Sequence, residues 1–183
     1  MIKERWLIDE RGPRILIEML LLYGVTEKPG PGSNPLILSW AKAIGLGHVY
    51  QSDDIAWCGL AVAFAAARAG WDHSPRGNAL YARNWLSWGT PVPFGEEMLG
   101  DVLVKARGPS QGHVCLYVGE NATHFRVLGC NQADAVSLKW IHKARTGKDA
   151  FLGARRCPWR VDQPANVRKI WLTSTGAFDG SES

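Results

Sequence analysis

The chain has 183 residues, with 21 Lys and Arg against 17 Asp and Glu for a formal net charge of +4, a size that suits one compact domain. At 46% hydrophobic and 21% charged residues, with nine tryptophans, it can fill a packed core, and disorder is excluded for the body of the chain. A membrane span is excluded by length: the most apolar early run, residues 15–23, contains Glu18 and falls well short of the ~20 residues a spanning helix needs.

Residues 12–22 (GPRILIEMLLL) read as an amphipathic helix, with Pro13 in the first turn and Ile15, Met19 and Leu22 on one face. No small-x-small cleavage site follows this run, so no secretory signal peptide is expected. Gly24 ends the helix, and residues 27–35 (EKPGPGSNP) form a loop. Asn34 and Pro35 then start a second helix to about residue 44, with Asn34 as N-cap and Pro35 in the first helical position. Residues 55–69 (IAWCGLAVAFAAARA) are apolar nearly all round and predict a buried helix. Cys58 falls near its beginning, with Ser52, Asp53 and Asp54 as candidate caps. A further helix is predicted over 79–88, after which Pro91 and Pro93 enforce extended chain.

The pattern then changes. Residues 101–106, 113–118 and 124–128 are short β-branched or aromatic runs between glycine-rich turns, and 135–141 and 151–156 predict two more strands. Helices first and antiparallel strands second give an α+β class, N-terminal helices on a small antiparallel sheet, with the helix of Cys58 packed against it. Residues 1–160 read as a single domain and 161–183 as a C-terminal extension, in which 169–173 is a candidate strand and 177–183 are expected to fray.

The four cysteines, Cys58, Cys115, Cys130 and Cys157, form no CxxC pair, so neither a zinc ribbon nor a thioredoxin-type motif is indicated, and no metal or other cofactor is expected. Without a signal peptide, disulfides are not the default. Cys58 has a further use. At the start of a helix the unpaired N–H groups and the positive end of the macrodipole favour a thiolate, which predicts a lowered pKa. His113 opens a predicted strand, from which its ring can meet a helix N-terminus. Asn131, after the following strand, is placed to accept the second imidazole N–H, as the third member of a nucleophile–base–orienter set. Each has a bland alternative: Cys58 as core packing, His113 as a core histidine and Asn131 as a turn residue. Trp57, Trp85 and Trp88 offer flat faces for substrate packing, although tryptophans at helical spacing often belong to the core. Gln132 and Glu27 complete the substrate-binding candidates, Glu27 alternatively holding its loop. Arg83 and Arg107 are candidate carboxylate binders.

Asp54-Ile-Ala-Trp-Cys58, Ala82-Arg-Asn-Trp-Leu-Ser-Trp-Gly89, Gly100-Asp-Val-Leu-Val104, Gly112-His-Val114 and Leu128-Gly-Cys-Asn-Gln132 resemble, in order, the NlpC/P60 and CHAP superfamily. Within it they are similar to a small bacterial and phage group of cell-wall hydrolases, which Gly24-Val-Thr-Glu27 and Gly30-Pro-Gly-Ser-Asn-Pro35 also fit. The resemblance implies a papain-like fold and a Cys–His–polar triad that hydrolyses amide bonds in peptidoglycan peptide stems. By position, Cys58 matches the nucleophile and His113 the base; Asn131 matches the third member in the CHAP register, and His124 in the NlpC/P60 register. Cys115 and Cys130 stand where small residues are expected. The aspartate-rich calcium loop of some CHAP domains is missing, and Ser52-Asp53-Asp54 is too short for a Ca²⁺ cage. A monomer acting on the cell wall after delivery by a holin, a phage tail or a secretion machine follows from the same resemblance. Two other classes use these residues differently: a Cys–His acyltransferase or deamidase acting on a non-peptidoglycan amide, and a non-enzymatic phage structural or interaction protein. Nucleic acid is not expected as a partner, since no aromatic-and-basic recognition motif is present.

Overall fold

The computed structural model describes residues 2, 4–157 and 166–178. Among them, α1 (Arg5–Asp9), α2 (Arg14–Leu20), α3 (Pro35–Ala43), α4 (Cys58–Arg68) and a 3-10 helix (Ala82–Ser87) precede the sheet. α3 begins as its sequence predicts: the Asn34 side chain accepts the Leu36 N–H at 2.9 Å, with Pro35 behind it. The predicted helix over 79–88 is instead the 3-10 segment, and α1, five residues long, is too short to show a period in the sequence.

The strands are β1 (Thr90–Val92), β2 (Val102–Arg107), β3 (Gln111–Glu120), β4 (His124–Gly129), β5 (Ser137–His142) and β6 (Phe151–Arg156). They form one six-stranded sheet, antiparallel throughout, in the order β1-β6-β2-β3-β4-β5. Side chains alternate across it. Val102, Val104, Val114, Leu116, Val118 and Leu128 join the helices in the main core, while Leu103, Cys115, Tyr117, Phe125, Val127 and Phe151 build a second cluster on the other face. The α+β expectation therefore holds, with helices packed on an antiparallel sheet.

α4 packs on β3 and against α2 and α3, which is why its alanines at 61, 63, 65 and 66 are fully buried. Gly59 allows a close approach: a Cβ there would lie 2.2 Å from the Ala79 carbonyl oxygen and 2.7 Å from that of Leu80. The 79–80 backbone thus crosses directly over the first turn of α4. Residues 166–178 pack against the rest of the chain. Ile170 and Leu172 enter the main core, and Leu172 N donates to Glu120 O at 2.8 Å. The candidate strand over 169–173 is reduced to isolated bridges, Glu120 with Trp171 and Leu172 with Phe178. Of the stretch expected to fray, Ala177 and Phe178 are thus placed, and 179–183 lie outside the described residues. No described helix is long and apolar enough to cross a membrane.

Candidate active site

Cys58 is the first residue of α4, and its N-cap, Trp57, makes no side-chain capping bond. The expected capping by Asp53 and Asp54 is therefore corrected. Asp53 turns away from the helix, and its Oδ2 accepts the N–H of Lys28 at 3.0 Å and of Asn34 at 2.8 Å. Burial raises the pKa of this carboxyl, but the backbone donors of Asn34 and Lys28 outweigh it and hold the group below its ordinary range. Asp54 pairs with the Ser52 hydroxyl.

The Cys58 thiol is 2% exposed. Burial pushes its pKa up, against the opposing pull of the Val114 backbone N–H, the Arg107 charge and the N–H groups of Gly59 and Cys58. This reverses the expectation of a lowered value, because desolvation of the thiolate exceeds what one helix end supplies. α4 packs on β3, the strand that bears His113, but no hydrogen bond joins Cys58 to His113 among the described residues.

His113 is also 2% exposed. Burial foremost, then the positive charge of Arg107, lowers its pKa to about 3, so the imidazole is neutral. Its tautomer follows from Gln132. The Gln132 amide nitrogen donates to Gly129 O at 3.1 Å and Ser137 O at 2.6 Å, which leaves Oε1 as the acceptor facing His113 Nε2 at 3.2 Å. Nε2 therefore carries the proton, and Nδ1 carries the lone pair. Nδ1 is buried without a hydrogen-bond partner among the described residues. Gly129 makes room for this arrangement, since a Cβ there would meet Gln132 Cδ at 2.9 Å.

Asn131 is not bonded to His113. Residues 131, 133 and 134 all have left-handed backbone, with φ of 54°, 55° and 57°. The turn sends the Asn131 amide to Glu27 Oε1 at 3.0 Å and brings Gln132 back over Gly129. His124 is excluded by register: it pairs with His142 at the far end of β4, whereas Gly129 pairs with Cys115 beside the site. Its Nδ1 contacts the Thr123 hydroxyl at 2.8 Å.

A groove of about 810 Å³ opens on Cys58, lined among others by Ile55, Leu80, Tyr81, Arg83, Arg107 and Gln111. Trp57, Trp85 and Trp88 do not line it. All three are core, stabilised there because each indole N–H finds an acceptor: Glu27 Oε1 at 2.5 Å, Ala79 O at 2.9 Å and Asp72 O at 2.6 Å. Glu27 holds Trp57 and Asn131 together, so its observed contacts are those of a brace. The exposed aromatic on the groove is Tyr81, whose position after a polar loop carries no sequence signal. Cys115 and Cys130 are free thiols in the interior, pushed to high pKa by burial.

No protein-family model matches the chain, and no curated protein matches it. The site comprises a neutral thiol at a helix start, a neutral imidazole on the strand that this helix packs against, with its lone pair at Nδ1, an amide fixing that tautomer, and an open groove that Cys58 lines and His113 does not.

Proposed function

We propose that the protein is a cysteine hydrolase of amide bonds, with a papain-like arrangement of Cys58 as nucleophile, His113 as base and Gln132 as positioning residue. The observation that carries this is the pinned tautomer, since a base needs its lone pair on a defined nitrogen. Nδ1 takes the Cys58 proton as sulfur attacks the carbonyl carbon, so no free thiolate has to persist in the buried site. The Cys58 backbone N–H, at the helix start, stabilises the oxyanion. The Nδ1 proton passes to the leaving amine as the C–N bond breaks, giving a thioester. Water, deprotonated by Nδ1, then releases the acid and restores the thiol.

The resemblance to NlpC/P60 and CHAP hydrolases supplies the substrate: peptide stems of peptidoglycan, reached by a monomer after delivery to the cell wall. The test is mass spectrometry of muropeptides from sacculi treated with wild type, Cys58→Ala and His113→Ala. Wild type is expected to generate a new amine and a new carboxylate at one bond. Cys58→Ala should generate neither, and His113→Ala should fall by roughly 10²–10⁴-fold. Unaltered sacculi with wild type would remove peptidoglycan as the substrate, and cleavage by Cys58→Ala would remove the thiol mechanism.

A further inference from the structure

The two arginines of the groove are separated by their hydrogen bonds. Arg83 is committed to the protein: its Nε donates to Gln111 O at 2.9 Å and its Nη2 to Gly108 O at 2.8 Å. Its Cγ also covers Gly112, where an added Cβ would come within 3.0 Å. It braces the turn into β3. Arg107, the last residue of β2, is exposed and makes one long contact, Nη2 to Asn131 O at 3.4 Å.

Among the described residues no carboxylate pairs with Arg107, whereas Arg14, Arg68, Arg126, Arg156 and Arg168 are all ion-paired. Most of the five N–H donors of its planar fork are left to whatever enters the groove. Its place on the sheet sets it on the side of the imidazole. Arg107 lies two residues along β2 from Lys105, the cross-strand partner of His113, so alternation sets its side chain on the same face as the imidazole. Its charge is felt by both the thiol and the imidazole. Among the described residues no acid lines the groove, and the other flank is apolar, with Val49, Ile55, Leu80 and Tyr81.

We propose that Arg107 is the specificity-determining residue of this groove: it binds a free carboxylate that the substrate carries near the scissile amide. The proposal deepens the hydrolase reading and rests on it. A guanidinium pairs with a carboxylate through two charge-assisted hydrogen bonds, while a carboxamide offers one neutral acceptor and a competing donor. The groove therefore selects acidic peptides over amidated ones.

The test uses synthetic stem peptides in pairs, identical except that one carboxylate is free or amidated. One pair differs at the α-carboxylate of D-isoglutamate and the other at the side-chain carboxylate of diaminopimelate. Values of kcat/KM are measured with the full-length wild type, Arg107→Gln and Arg107→Lys. Wild type should favour the free acid of at least one pair by about 10- to 100-fold. In Arg107→Gln the ratio should collapse towards one, and Arg107→Lys should retain part of it. Ratios near one for both pairs in wild type, or an unchanged ratio in Arg107→Gln, overturn the proposal. So does an equal fall in kcat on all four peptides, which would assign Arg107 to the oxyanion. Calorimetric binding of the same peptides to Cys58→Ala, with and without Arg107→Gln, reads recognition without cleavage. Selective binding lost with Arg107 beside an inactive wild type would sink the hydrolase reading and leave the carboxylate site standing; unselective binding would sink the site.

Discussion

Alanine at position 132 would leave the Nε2–H of a buried imidazole without its acceptor, and the ring free to turn. Gln132→Ala is expected to lower kcat/KM by about 10- to 100-fold, as loss of a group that fixes a reacting ring does, whereas Asn131→Ala should cost markedly less. Gln132→Glu should move the acid limb of the pH–rate profile upward, because a carboxylate favours the imidazolium; a purely structural role would leave that limb in place. The choice between two adjacent amides is not written in their spacing. It is made by the left-handed backbone at residues 131, 133 and 134, a property of the turn as a whole. The direction of the Cys58 pKa was hidden for a related reason, since the helix start is local while the burial that outweighs it is tertiary. His113 yields a pH prediction. Its folded value of about 3 lies below the 6.5 of an unperturbed histidine, so the unfolded chain takes the proton first as the pH drops. The stability it contributes is whole above about pH 6.5 and is lost as pH falls towards 3, by roughly 4 kcal/mol. Urea midpoints at pH 7, 5 and 4 should fall more steeply for wild type than for His113→Asn, and parallel slopes would refute this.

α4 and its crossing chain carry the next prediction. Gly59 sits in a helix, where alanine is intrinsically favoured, so any loss on Gly59→Ala comes from the Ala79 and Leu80 carbonyls that its methyl group would strike. Two backbone segments must part, and a loss of roughly 1–3 kcal/mol in chemical denaturation is expected. KM should rise as well, because Leu80 lines the groove. A variant as stable as wild type would show that the crossing is looser than the structure has it. At this scale the sequence is informative where the period is strong. The Asn34-Pro35 start of α3, the alanine-rich α4 and the strands from residue 101 onward all announce themselves by capping chemistry, all-round apolarity or β-branched runs between glycines. The tryptophans misled because an indole reads alike as core or as binding face, and only the acceptors Glu27, Ala79 O and Asp72 O settle that they are buried.

For the whole molecule, the prediction concerns residues 166–178. Ile170 and Leu172 complete the main core, and Glu120, nearly fully buried, receives Lys143 at 3.1 Å and Lys169 at 3.2 Å. Ile170→Ala should cost about 2–5 kcal/mol, the range for a core aliphatic residue, with the thermal midpoint falling accordingly. A change within about 0.5 kcal/mol, the usual surface value, would return the segment to the standing of an appendage. From the sequence, Ile170-Trp171-Leu172 reads only as a candidate strand, since so short an apolar run does not show which core it enters. The alanine side of α4 has a last consequence. Cys58 and His113 are borne by separate layers, α4 and β3, and the buried packing of α4 is made in large part by methyl groups, those of Ala61, Ala63, Ala65 and Ala66. Those methyls act as shims: Ala61→Val would leave every reacting atom chemically intact, yet thicken the seam and alter turnover through spacing alone.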